Sequence, residues 1–148
     1  MKFTEEKRDL FSVDDNEYYL VQCISADYAM AAGIAVDFNK KYDIKNIMMD
    51  HPENIISSYD KSCLLVNNKV FNLVTKKNYY QKPSYKSLRN ALLQMKIILL
   101  NNPEIIDKYK LAMPRIGCGL DKLEWEKVSP IIQEIFQDTN VEILVCNL

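Results

Sequence analysis

The sequence predicts an α/β chain: a three-layer α/β/α sandwich with helices on both faces of a central, largely parallel but mixed β-sheet. Three observations carry this. Apolar strand-like runs alternate with stretches of helical spacing along the chain. Two neighbouring runs, Ser62–Val66 and Val70–Val74, are separated only by Asn67-Asn68-Lys69. That is a hairpin signal, and it makes the sheet mixed. The chain has only three glycines in 148 residues, and all three stand at strand-to-helix junctions. Average usage is about 7%, so glycine here marks places where a side chain is not tolerated.

Each element follows in order. Lys2–Glu5 is a short edge strand. The run from Glu17 to Ile24 is a buried strand, bounded by the acidic turn Asp14-Asp15-Asn16. Residues 32–42 place Ile34, Ala35, Phe38 and Tyr42 at helical spacing, and a second short helix runs from Ile44 to Asp50. The hairpin 62–74 comes next. Pro83-Ser84 opens a long helix to Leu100, with Leu88, Leu92, Met95 and Leu99 on one face. Lys110–Met113 is a strand, Trp125–Gln137 a helix, and Val141–Val145 the last strand. No repeat, low-complexity tract or linker interrupts the chain, so one domain over 1–148 is expected.

Composition narrows the function classes. Net charge is −1 and the pI about 5.9, which excludes a nucleic-acid binder held by bulk charge. The charge is uneven. Residues 61–103 carry eight basic side chains and no acid, whereas residues 1–60 carry twelve acids and six bases. This middle third is either a solvated face or a surface turned to phosphates. Cys23, Cys63, Cys118 and Cys146 form no C-x-x-C pair, and His51 is the single histidine. That spacing excludes a zinc finger, and no metal or redox cofactor is implied. Three of the cysteines sit in or beside apolar runs, where free thiols behave as small hydrophobes. With no leader or membrane-spanning stretch apparent, a reduced cytoplasmic setting is expected. His51 precedes Pro52 and suits a helix C-terminus better than catalysis.

The chemistry concentrates in Met113-Pro114-Arg115-Ile116-Gly117-Cys118-Gly119-Leu120-Asp121 and in Ala31-Ala32-Gly33-Ile34-Ala35. Both segments lie between a strand and a helix, where backbone N–H groups can grip an anion. Neither fits the dinucleotide fingerprint or the Walker motif. Two glycine loops around one phosphorylated ligand are expected, at the carboxyl ends of strands. The segment Val74-Thr75-Lys76-Lys77 also follows a strand, and all three make one pocket if they share an end of the sheet.

With Arg8-Asp9-Leu10-Phe11, Gln22-Cys23-Ile24-Ser25, Met30–Ala35, Val74–Lys77, Lys82-Pro83-Ser84-Tyr85 and Met113–Asp121 followed by Trp125 in register, the chain resembles the macro domains. Its resemblance is strongest to the branch of terminal ADP-ribose protein glycohydrolases. The resemblance implies an ADP-ribosyl hydrolase that releases ADP-ribose from mono-ADP-ribosylated acidic residues, and from O-acetyl-ADP-ribose as a further substrate. Lys76 would attack the anomeric carbon of the distal ribose, and Asp121 would act as general acid or base. Asp9 would accept from the adenine amino group. Ala32, Gly33, Ile34 and Ala35, with Ile116, Gly117, Cys118, Gly119 and Leu120, would wrap the diphosphate and distal ribose. Leu10, Ser25 and Thr75 complete the implied binding set. A neutral Lys76 amine is expected from partial burial and from Lys77 beside it. Cys118, with no histidine nearby, is a loop residue rather than a nucleophile. Relatives often offer an aromatic ring where Cys146 stands, so Phe11 or another ring is expected to stack on adenine.

The partners implied are ADP-ribose and an ADP-ribosylated protein, with nucleic acid entering only as an ADP-ribosylated substrate. A monomer without membrane attachment is expected. Two other readings stay open at this level: a non-catalytic reader of ADP-ribose, and a hydrolase of ADP-ribosylated DNA.

Overall fold

A computed structural model describes residues 1–148. One seven-stranded sheet runs from β1 (Lys2–Glu6) through β2 (Tyr19–Ser25), β3 (Ile55–Ser57), β4 (Cys63–Val66), β5 (Val70–Lys76) and β6 (Lys110–Met113) to β7 (Glu142–Cys146). The spatial order is β1-β7-β6-β2-β5-β4-β3. The five strands from β1 to β5 in this order are mutually parallel, and β4 and β3 add antiparallel pairs. The mixed sheet therefore arises where the hairpin signal put it. Asn67 and Asn68 both take the left-handed conformation at its turn, which asparagine tolerates better than most residues. The short edge strand β3 has no counterpart in the sequence reading. Its three residues are too few to show a period.

Alternation along the strands feeds two cores. Tyr19 and Val21 of β2 face a cluster shared with α3 (Tyr85–Asn101) and α4 (Trp125–Phe136). Leu20 and Ile24 face a second cluster with α1 (Ile34–Tyr42) and α2 (Ile44–Asp50). Helices thus cover both faces, as the alternation of elements predicts. The helix from Ile44 to Asp50 has the bounds read from sequence, and the backbone N–H of His51 closes it on the Ile47 carbonyl.

The start of α3 is fixed by a reciprocal cap. Ser84 Oγ accepts from the Ser87 N–H at 3.0 Å, and Ser87 Oγ accepts from the Ser84 N–H at 3.1 Å. Ser87 Oγ also lies 2.6 Å from the Thr75 carbonyl, to which it donates. The cap therefore ties the helix to the residue before Lys76. Ser84→Ala should lower stability by about 1 kcal/mol, read as a lower midpoint at unchanged slope in urea unfolding.

Candidate active site

Parallel strands bring their carboxyl ends to one edge. The loops after β2, β5 and β6, which are adjacent in the sheet, line a single cavity of about 680 Å³ there. Both glycine loops and Lys76 are in its wall. The condition left open by the sequence, that the three segments share an end, is met.

The loop after β2 ends at Gly33, whose φ of +63° and missing side chain set the start of α1. A Cβ there would fall 3.0 Å from Leu120 Cδ1 of the second loop. Gly33 offers no side chain as a cap, and the N–H groups of Ile34 and Ala35 have no partner within the protein. They are free donors at the positive end of α1. In the second loop, Gly117 has φ of +73°, and a Cβ would come 2.9 Å from Leu123 Cδ1. Gly119 differs. Its φ is ordinary and a Cβ would meet nothing within 4 Å. The fold does not need glycine at 119, and the space above it belongs to the cavity. The N–H groups of Gly119 and Leu120 are likewise unpaired. Two loops thus present backbone donors to one space, an arrangement suited to a diphosphate.

Lys76 and Asp121 meet in this cavity. Nζ donates to Oδ1 at 2.6 Å, and the side chains are only 14% and 17% exposed. Their separation of 45 residues is closed because β6, which feeds the second loop, lies beside β2, and β2 beside β5. A β-bulge helps to aim the lysine. Ile24 pairs with Val74 but Ser25 pairs with Lys76, so β5 spends one extra residue at its end. Such a bulge breaks the alternation and redirects a side chain. The charged group in direct contact with Lys76 is the Asp121 carboxylate, whereas Lys77, its neighbour in sequence, is exposed to solvent.

Three contacts hold the second loop in place. Tyr85 Oη accepts from the Glu124 N–H at 3.0 Å. Arg115 donates to both carboxylate oxygens of Glu5, at 2.6 and 3.2 Å. Its guanidinium also lies 5.5 Å from the Trp125 ring, which stacks on Phe3. On the other side, Asp27 accepts from the Ser25 hydroxyl and from the Ala29 and Tyr79 N–H groups. The Ser25 hydroxyl, then the Tyr79 amide, hold the Asp27 carboxyl below the usual range.

Of the residues implied by resemblance, Ser25, Ala32, Gly33, Ile34, Ala35, Lys76, Ile116, Gly117, Gly119, Leu120 and Asp121 line the cavity. Asp9, Leu10, Thr75 and Cys118 do not. Asp9 caps the short turn Leu10–Ser12 by accepting from the Phe11 N–H at 3.0 Å. Leu10 is buried in the core beside α1 and α2. Thr75 is buried, and its hydroxyl has no partner. Burial pushes the Cys118 thiol up, as it does Cys23, so neither is a ready thiolate. Phe11 packs edge-on against Phe38, with ring centroids 4.9 Å apart, and does not reach the cavity. The rings that do are Tyr79 and Tyr80. They, with Lys82, Arg115 and Lys122, stand outside the site set that the resemblance implies. The signal available for Lys82 and Arg115 was their place inside matching segments, but Tyr79-Tyr80 lies between segments. The basic middle third divides. Lys76 and Lys82 line the cavity, whereas Lys69, Arg89 and Lys96 pair with Asp15, Glu134 and Asp138 elsewhere.

No protein-family model matches the sequence. Curated relatives do. The ADP-ribose glycohydrolase OARD1 of Bos taurus is 40% identical over 148 residues, covering 99% of this chain and 92% of the relative. The Homo sapiens protein of the same name is 38% identical over the same shares. Among solved structures, the macrodomain of Thermus aquaticus DarG superposes with a TM-score of 0.73 at 20% identity, over 99% of this chain and 98% of that one. The last likeness is one of fold. The sequence relatives, aligned along nearly the whole chain and through both glycine loops, go further: the chain belongs to the macro domains, in the terminal ADP-ribose protein glycohydrolase family.

Proposed function

We propose that this glycohydrolase releases ADP-ribose from ADP-ribosylated glutamate or aspartate side chains of proteins, with Lys76 as nucleophile and Asp121 as its proton partner. The observation that carries this reading is the 2.6 Å contact between Lys76 Nζ and Asp121 Oδ1 inside the cavity framed by both glycine loops. The diphosphate takes the free N–H groups of the two loops, which leaves the distal ribose at the lysine. A proton passes from Nζ to Asp121 along the existing hydrogen bond. The amine then forms a bond to the anomeric carbon as the bond from that carbon to the target's carboxylate oxygen breaks. The carboxylate departs as an anion and needs no proton, which suits an ester better than a serine ether. Asp121 gives the lysine's proton to solvent, then takes one from the water that attacks the anomeric carbon as the carbon–nitrogen bond breaks, and returns it to the freed lysine amine.

The substrate class is tested by presenting glutamate-linked, serine-linked and thymidine-linked ADP-ribose and measuring free ADP-ribose. Release from the glutamate ester is expected. Release from thymidine alone would move the substrate to DNA. Binding has its own measurement. A ligand that binds only the folded state stabilises it by about 2.7 kcal/mol at a hundred times its dissociation constant. ADP-ribose should therefore raise the melting temperature in a concentration-dependent way. A shift with AMP but none with ADP-ribose would show that the cavity does not take the diphosphate.

A further inference from the structure

We propose that the cavity mouth beside Lys76 is a docking shelf for an acidic, extended polypeptide segment, the stretch of target that flanks the modified side chain. It rests on the ester reading above and adds the partner's chemistry. The shelf is built from Tyr79, Tyr80, Lys82, Leu120 and Lys122, all in the cavity wall. Tyr79, Tyr80 and Leu120 are 63, 73 and 68% exposed, an unusual outlay of large apolar surface at one rim. The two rings pack edge to face with centroids 5.5 Å apart. Their turn is held shut. Gln81 Oε1 accepts from the Asn78 N–H at 2.8 Å, and Asp27 accepts from the Tyr79 N–H at 2.9 Å. The rings are thus presented, which lowers the ordering cost of a contact.

Position decides what they meet. They lie three and four residues beyond Lys76 and share its cavity wall, so a target chain joined to a ribose held at Lys76 would leave the cavity past them. Charge decides what kind of chain. Lys82 and Lys122 are exposed and form no ion pair, nor does the adjacent Lys77. The acids nearby are committed: Asp121 to Lys76, Asp27 to three donors and Glu124 to Lys127. The mouth is locally positive on a chain whose net charge is −1. Nucleic acid fits less well. The tyrosines spend one face or edge on each other, Leu120 adds an apolar contact, and Lys69, Arg89 and Lys96 are paired away from any continuous basic track.

The test uses two peptides with one glutamate-linked ADP-ribose each, one with acidic flanks and one with the flanking acids replaced by glutamine. The intact protein should process the acidic peptide with a kcat/KM about tenfold higher, an advantage that shrinks with salt. The double variant K82E/K122E should abolish or invert the preference, and Y79A/Y80A should raise KM for both peptides. Calorimetry with free ADP-ribose on each variant shows that the pocket is folded. Equal rates for the two peptides, or a preference unmoved by charge reversal, overturns the shelf. A thymidine-linked oligonucleotide that outpaces both peptides, and loses that lead in K82E/K122E, overturns it in favour of nucleic acid. No release from either peptide while ADP-ribose still binds refutes the ester reading itself, a result distinct from equal release.

Discussion

Lys76→Ala should bring release of ADP-ribose from a glutamate ester close to the uncatalysed rate while ADP-ribose still binds. The amine is the group proposed to attack, and its removal leaves the glycine loops untouched. Asp121→Ala should cost a factor of about 10²–10⁴, the usual value of a lost acid–base group. The two losses should not add, because the pair serves one path. Asp121→Ala has a second, more telling readout. If water cannot be activated, the lysyl adduct accumulates. Denatured protein taken from the reaction should then carry the mass of one ADP-ribose on the peptide containing Lys76. Full activity in Lys76→Ala would eliminate the covalent path and leave water attacking directly. Unchanged activity in both variants would place the catalytic centre elsewhere. Lys77→Ala, one residue along and exposed to solvent, should change the rate only mildly.

Gly119→Glu should abolish ADP-ribose binding without unfolding the protein. The three glycines separate on this point. At Gly33 and Gly117 a side chain meets positive φ and a leucine at 3.0 or 2.9 Å, so substitution strains the fold as well as the site. At Gly119 a Cβ meets nothing within 4 Å and the backbone is ordinary. Gly119→Ala should accordingly leave the urea midpoint nearly unchanged. Glutamate at the same position projects a carboxylate into the space where the diphosphate would sit, adding bulk and like charge. The measurement is a titration calorimetry trace with ADP-ribose up to about 1 mM, beyond which binding is weaker than about −4.1 kcal/mol. Binding retained by Gly119→Glu would show that the diphosphate lies away from the second loop.

The sequence by itself determined the order and type of nearly every element, because those signals are local. Side-chain period separates the buried strand at β2 from the amphipathic α3, Pro83-Ser84 marks where α3 begins, and Asn67-Asn68 suits the left-handed turn of the hairpin. It also pointed to the two glycine loops that meet in the cavity, since all three glycines fall in them: Gly33 and Gly117 where the backbone must stay bare, and Gly119 where it is open to the cavity. The family resemblance rests on the same linear pattern. What only the tertiary structure decided is what those segments face. Whether Lys76 sits near an acid depends on β5 and β6 flanking β2, and on a bulge at the end of β5 that no local period encodes. The nearest charged neighbour in sequence is Lys77, yet the one in contact is Asp121, 45 residues away. The same holds for the basic middle third, whose lysines divide between the cavity and distant carboxylates, and for Phe11, drawn into the core by Phe38 rather than left for a ligand. Contacts such as these are settled by sheet order and packing, which bring together residues that the chain itself keeps far apart.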